Sequence, residues 1–352
     1  MPGGVLPYQE QYISKELLDI IKKPTIRIGT LEAAIGDNFA YDKDKMSGRC
    51  NIIYAREQDF YRLTEMGINV VSIANNHVFD LGYDGFLNTI KILNENGIKY
   101  CGAGRNIQEA KKPVILNIDH KSIAIYAYCM YGSKYIGLVP IASENTFGVN
   151  PLDIDSVIAD IKYAKSKFDY VIIMPHWGKE YAMSPLDTCR KMAFKMIDAG
   201  ADAVVGSHPH IVQPVIKYRG KNIAFSLGNF LFPDFYMTPP RPIWYPTSVK
   251  EIKDVKQIVG YPFPIEKPII QVWNAYSRIG LALEFSIDND SINVLDRHFV
   301  ELSTENILHL FNVNKGYKIK LHLYTLVAKY NIFNIIYKVY TIVRKKLAKK
   351  NT

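Results

Sequence analysis

The sequence predicts an α/β fold in which helices cover the faces of a sheet, and two observations carry that expectation. Over the first 230 residues, short apolar runs rich in β-branched residues alternate with amphipathic stretches of helical length, the pattern of a sheet layered with helices. The polar residues with chemical potential follow the carboxyl ends of those runs, the edge where open α/β sheets carry their ligands. The strand-like runs are Ile26–Ile28, Ile68–Ile73, Ile123–Tyr128, Tyr170–Met174, Ala203–Val205 and Ile223–Leu227. Gly85–Asn96 sets Phe86, Ile90 and Leu93 on one face and stops at Gly97, and Leu186–Ala199 groups Cys189, Ala193, Met196 and Ile197 before Gly200. Amphipathic periodicity closed by glycine predicts a helix at each place.

Residues 231–270 change character. They hold eight of the chain's 18 prolines among Phe232, Phe235, Tyr236, Trp244, Tyr245, Tyr261 and Phe263. Proline at this density blocks regular ladders, which predicts an ordered but irregular excursion. Beyond it, Gly280–Ile287 and Ser291–Leu295 read as a strand pair turning at Asp288-Asn289-Asp290 and completing the sheet. The division expected is a main domain over 1–305 and a tail over 306–352.

Charge separates the same two parts. The formal net charge is +9, but Phe311–Thr352 holds ten Lys or Arg and no Asp or Glu, leaving 33 basic and 34 acidic side chains elsewhere. A body of net −1 argues against a nucleic-acid groove and confines any polyanion or membrane contact to the tail. Cys50, Cys101, Cys129 and Cys189 show no metal-binding or paired spacing and read as buried free thiols. The Met1-Pro2-Gly3-Gly4 opening reads without a signal peptide.

Five segments converge on one sheet edge. Thr30-Leu31-Glu32, Asn75-Asn76-His77 with Asp80, His176 with Glu180, His208-Pro209-His210 and Gly228-Asn229 each follow an apolar run. A single strand-end histidine is more often a loop or core residue than a ligand, and Asn76 or Asn229 alone reads as a turn residue. The pattern outweighs its members, and the pair His208/His210 outweighs the rest, because glycine and proline beside it hold two imidazoles in a fixed local geometry. Carboxylate with imidazole suits Zn, Mn or Fe. A two-metal hydrolytic site needs a bridging carboxylate, neutral ligands and a proton donor for the leaving oxygen. Glu32 can bridge, His176, His208 and His210 can ligate, and His77 can serve as the acid. Asp80 either orients His77 through its other ring nitrogen or is the N-terminal carboxylate of a helix.

The motifs Ala74-Asn-Asn-His77-x-x-Asp80-x-Gly82, Gly102-Ala-Gly104, Gly148-Val-Asn-Pro151, His176-Trp-Gly-x-Glu180, Gly206-x-His-Pro-His210 and Ser226-Leu-Gly-Asn-Phe230 occur in that order. In this the chain resembles the CapA family of capsule and poly-γ-glutamate biosynthesis proteins, itself similar to calcineurin-like metallophosphoesterases. The resemblance covers roughly residues 1–235 and implies a four-layer αββα sandwich. It implies two divalent metal ions held by Glu32, Asn76, His176, His208 and His210, catalysis by His77 and Asp80, and substrate contacts from Asn75, Glu180 and Asn229. Family members begin with an apolar strand ending in Gly-Asp. This chain opens at Met1-Pro2-Gly3-Gly4, so that strand and its Asp ligand are missing from the sequence as given. Either a longer reading frame carries them, which is the expectation, or this version lacks a first-metal ligand and a sheet strand.

The tail is apolar at 16 of 23 positions over 321–343, and its polar stripe jumps near Tyr330. That pattern predicts two short amphipathic helices or one kinked helix. Two readings stand: a helix packed on the body, or peripheral contact with an anionic inner membrane. The function expected is metal-dependent hydrolysis in capsule or exopolymer synthesis, with an anionic polymer or its precursor as partner. The rival is a non-catalytic subunit of a membrane polymer-synthesis complex. Location follows the start: cytoplasmic or peripheral on the inner membrane as given, extracytoplasmic with a longer N-terminus.

Overall fold

The computed structural model describes residues 11–47, 51–132, 136–260, 265–287 and 291–330. Cys50, the turn at Asp288–Asp290 and the tail beyond Tyr330 lie outside the described residues. The core is a six-stranded sheet in which Lys121–Cys129, Tyr170–His176, Ala203–Val205 and Lys221–Ala224 run parallel. Antiparallel strands Val114–Ile118 and Val215–Tyr218 close its two edges. A second, three-stranded parallel sheet is built from Ile28–Thr30, Val70–Ser72 and Lys99–Cys101.

Alternation along Lys121–Cys129 decides the layering, because successive strand side chains point to opposite faces. Ala124, Tyr126 and Tyr128 share a core with the helices Ile154–Lys165 and Asp187–Asp198. Ile123, Ile125 and Ala127 share another with Val70, Val71 and the helix Gly82–Glu95. The order is therefore helices, sheet, sheet, helix, the αββα arrangement that the resemblance implied. The helix over Asp187–Asp198 buries Cys189, Ala193, Met196 and Ile197, the face its periodicity predicted. Cys101, Cys129 and Cys189 are free and buried, with burial pushing the Cys101 and Cys189 thiols up to about 12.

Two expectations are corrected. The Pro-rich stretch is not irregular: Phe235–Met237, Ile243–Trp244, Lys256–Val259 and Ile269–Val272 form a four-stranded sheet. Its described prolines fall outside these short strands, so no ladder donor is lost. The strand pair Ile279–Ile287 and Ile292–Leu302 does not extend the main sheet. It forms its own sheet with Leu308–Leu310, which also places residues beyond 305 in the body. It is tied to the main body by a bridge from Gly280 to Gly228, by Leu281, which donates its backbone N–H to Leu227 O at 2.8 Å, and by Asn222, whose Nδ2 donates to Ile292 O at 2.9 Å. A Cβ on Gly280 would stand 2.0 Å from Asn229 O, so the close approach requires glycine. No helix among the described residues is long and apolar enough to cross a membrane.

Candidate metal centre

Parallel strands put their carboxyl ends on one edge, and the site residues are delivered there. Glu32 follows Ile28–Thr30, Asn76 and His77 follow Val70–Ser72, and His176 ends its own strand. His208 and His210 follow Ala203–Val205, and Asn229 follows Lys221–Ala224. The loop between Val205 and His208 runs tight against its neighbour. A Cβ on Gly206 would meet Phe225 O at 2.2 Å and the Trp177 indole nitrogen at 2.5 Å, and that indole donates to Phe225 O at 3.0 Å. His208 sits at φ +98° and His210 at φ +54°, left-handed backbone that a histidine adopts only when its surroundings hold it there.

The centre is compact and buried. One donor atom each from Glu32, His176 and His208 lie within 4.8 Å of one another, and all three residues are buried. Glu32 Oε1 stands 3.5 Å from His176 Nε2 and 3.6 Å from His210 Nε2. It is buried without a hydrogen bond, a costly state for a carboxylate oxygen. The tautomer of His210 follows from its neighbours. Asn229 donates its Nδ2 to Ser277 O at 2.9 Å, which turns Asn229 Oδ1 toward His210, and His210 Nδ1–H donates to it at 2.9 Å. His210 Nε2 therefore turns a lone pair toward the Glu32 oxygen. Two electron-rich atoms facing each other in a buried cleft fit a cation between them.

Protonation states agree with that fit. Burial, with the neighbouring His208 and His210, holds His176 well below the ordinary imidazole range, and burial also lowers His210. Both rings are neutral, the form that ligates metal. Burial pushes the Glu32 carboxyl up to about 7. One carboxylate with three imidazoles suits Zn, Mn or Fe.

A second chain of contacts leads away from the centre. His176 meets Ser207 Oγ through Nδ1 at 3.0 Å and Asn76 Oδ1 through Nε2 at 2.9 Å. Asn76 Nδ2 meets His77 Nε2 at 3.1 Å, and His77 Nδ1–H donates to Asp80 Oδ2 at 2.6 Å. Asp80 is fully buried and also accepts Ile53 N–H at 2.7 Å. Its other oxygen takes the ammonium of Lys45, which donates as well to Asn76 O. Of the two roles open for Asp80, the geometry gives it the orientation of His77.

Other expected residues take different places. Asn75, expected on substrate, is fully buried and spends both amide groups on backbone: Nδ2 donates to Leu31 O and Oδ1 accepts His77 N–H. It braces the Glu32 segment against the His77 loop. Asn229, also expected on substrate, stands behind His210 as its Nδ1 partner. Glu180 is partly buried, its carboxyl raised by burial against the pull of His210. Sequence reasoning missed Lys45 and Ser207, and it missed Phe232 and Trp273, whose rings lie 5.5 and 5.3 Å from the His210 ring. Ser207 could have been found from its place inside the Gly206-x-His motif. Lys45 had no such signal.

The Glu32 shift yields a pH prediction for metal-free protein. Below about pH 4.5 the carboxyl is protonated both folded and unfolded. As pH rises toward 7 the unfolded chain ionises it while the folded chain resists, so Glu32 costs stability on the order of 3 kcal/mol above that range. His176 and His210, held neutral when folded, act oppositely below about pH 6.5, so only a comparison isolates Glu32. Glu32→Gln is expected to gain in urea midpoint over wild type as pH goes from about 5 to 8, and Mn or Zn is expected to reverse the gain. A difference independent of pH would rule out the buried, unpaired carboxylate.

The same arrangement has relatives. The family model described as bacterial capsule synthesis protein PGA_cap matches residues 2–234. The PGA biosynthesis protein CapA of Bacillus subtilis is 37% identical over 171 residues, 48% of this chain and 44% of that protein. The capsule biosynthesis protein CapA of Bacillus anthracis is 31% identical over 233 residues, 64% of this chain and 54% of that protein. The chain thus spans about half the length of the curated relatives it matches. Among solved structures, a 5′-nucleotidase precursor from Thermus thermophilus superposes with a TM-score of 0.39 at 12% identity, over 88% of this chain and 51% of that one, a likeness too low to bear on function. The family match covers every residue of the centre from Glu32 to Asn229, and the chain belongs to the bacterial capsule synthesis protein PGA_cap family.

Proposed function

We propose that the chain is a metal-dependent hydrolase of phosphoesterase type, acting in synthesis or export of an anionic cell-surface polymer, on that polymer or its precursor. The observation that carries the reading is the buried Glu32 oxygen, without a hydrogen bond and faced by two neutral imidazoles. The names of the Bacillus relatives support the polymer context. Glu32, Asn76, His176, His208 and His210 are the residues to hold two divalent ions, Mn, Zn or Fe. Bound there, such ions polarise an ester oxygen and lower the pKa of a water.

The chain's own residues supply the rest. Burial favours the neutral form of His176 and His210, so each ring has one nitrogen without a proton, Nε2 in His210. Asp80 holds the Nδ1–H of His77, so when the ring carries a second proton it sits on Nε2, the nitrogen that would pass it to a leaving oxygen. Phe232 and Trp273 pack beside His210 and keep water from its far side.

The test is hydrolysis of an aryl phosphoester by protein loaded with Mn or Zn. Turnover that a chelator abolishes, and that His208→Ala/His210→Ala loses together with bound metal, is expected. Metal bound in stoichiometric amount with no turnover of aryl phosphoester, carboxyl ester or amide would overturn the enzyme. That outcome would favour the rival, a non-catalytic platform in a polymer-synthesising complex.

A further inference from the structure

The helix Lys315–Tyr330 carries two apolar stripes, where a helix lying on a protein body needs one. Tyr317, Leu321, Tyr324 and Ala328 recur at helical spacing and face the body, packed with the cores around Val215 and Ile216. Lys320 fastens the same side, donating to the Tyr276 hydroxyl at 2.9 Å with its ammonium 4.3 Å from that ring's centre. The opposite side is also apolar. Ile319, Leu323 and Tyr330 stand 52%, 56% and 53% exposed, with Leu326 between them.

Charge along the outer stripe has one sign. Lys315, Lys318, His322 and Lys329 are exposed along one flank, and the helix holds no Asp or Glu. Lys217, exposed on the strand against which the helix packs, adds to the same field. The sequence continues with six more Lys or Arg and no acid from 331 to 352.

We propose that this outer face of the Lys315–Tyr330 helix docks on an anionic lipid surface, its apolar stripe at the headgroup boundary and its lysines on the phosphates. Amphipathic helices that lie in the interface have this composition, with long basic side chains reaching from an apolar strip to charge. A second copy of the chain is the poorer occupant. A two-fold contact through this face would set lysine against lysine, and a few exposed apolar side chains fall well short of the ~800 Å² per partner of a stable interface. The helix packs on the body with one face and, as proposed, makes the outward contact with the other.

The test uses the full chain and vesicles of phosphatidylcholine with or without phosphatidylglycerol. At low salt, binding to the anionic vesicles is expected to exceed binding to neutral ones by about tenfold or more, and high salt should remove the difference. Ile319→Gln/Leu323→Gln is expected to weaken anionic binding by at least about tenfold with an unchanged melting temperature, because both side chains face solvent. Lys315→Gln/Lys318→Gln/Lys329→Gln is expected to lose the preference for phosphatidylglycerol. Wild-type binding by the Ile319/Leu323 variant would overturn the proposal and place the contact in the chain beyond residue 330. No vesicle binding by the full chain, or self-association that the same variant abolishes, would overturn it as well.

Discussion

His77→Ala is expected to lower turnover of an alkyl phosphoester by about 10²- to 10⁴-fold, the range general acid catalysis supplies. Metal content should stay near the wild-type level, because the ring meets Asn76 only at its Nδ2, leaving the Asn76 Oδ1 to ligate, and touches none of Glu32, His176, His208 or His210. The loss should depend on the leaving group. A substrate whose leaving oxygen is already a weak base needs little proton donation, so activated aryl esters should suffer less than alkyl ones. Asp80→Asn should give a smaller fall in kcat with KM unchanged, since it loosens the ring without removing it. Equal turnover in wild type and His77→Ala, on both ester types, would remove His77 from the chemistry.

Lys45→Met is expected to destabilise the fold by about 3–5 kcal/mol, the cost of stranding one member of a buried ion pair. Lys45 is 3% exposed and Asp80 fully buried, so water cannot replace the lost ammonium. Asp80 keeps its bonds from Ile53 N–H and His77, but one carboxylate oxygen is left bare. The double variant Lys45→Met/Asp80→Asn should recover part of the loss, because the uncompensated charge is gone. Urea denaturation measures both. A Lys45→Met midpoint equal to wild type would mean the pair is solvated, and the brace on His77 with it.

What the sequence disclosed follows from periodicity. Strand ends were legible because an apolar run followed by Glu, Asn or His marks where a buried strand meets a polar edge, and Glu32, Asn76, His176, His208 and His210 all came that way. Lys45 lies among Asp42, Lys43 and Asp44, a charged stretch that reads as solvated. Only the tertiary fold places its stem under Asp80. The prolines of 231–270 misled because they were counted by density, whereas they fall between strands of two to four residues. Asn75 and Asn229 were expected at the substrate because they lie in the motifs that carry the family resemblance. A polar side chain at a strand end is as often needed to satisfy the backbone of the next loop, and Leu31 O claims Asn75.

The centre also sets an order of events during synthesis. Asn76 and His176 touch across 100 residues of chain, and Glu32 finds His210 only after most of the parallel sheet has formed. Chains leave the ribosome amino end first, and contacts of such long range form late. A nascent chain that stops short of Ala203–Val205 carries Glu32, Asn76, His77 and His176 but lacks the histidines that enclose the cleft. Such a chain has no buried pocket in which to hold an ion. Any cation that the full residue set of the centre holds would thus be bound once translation has passed Asn229.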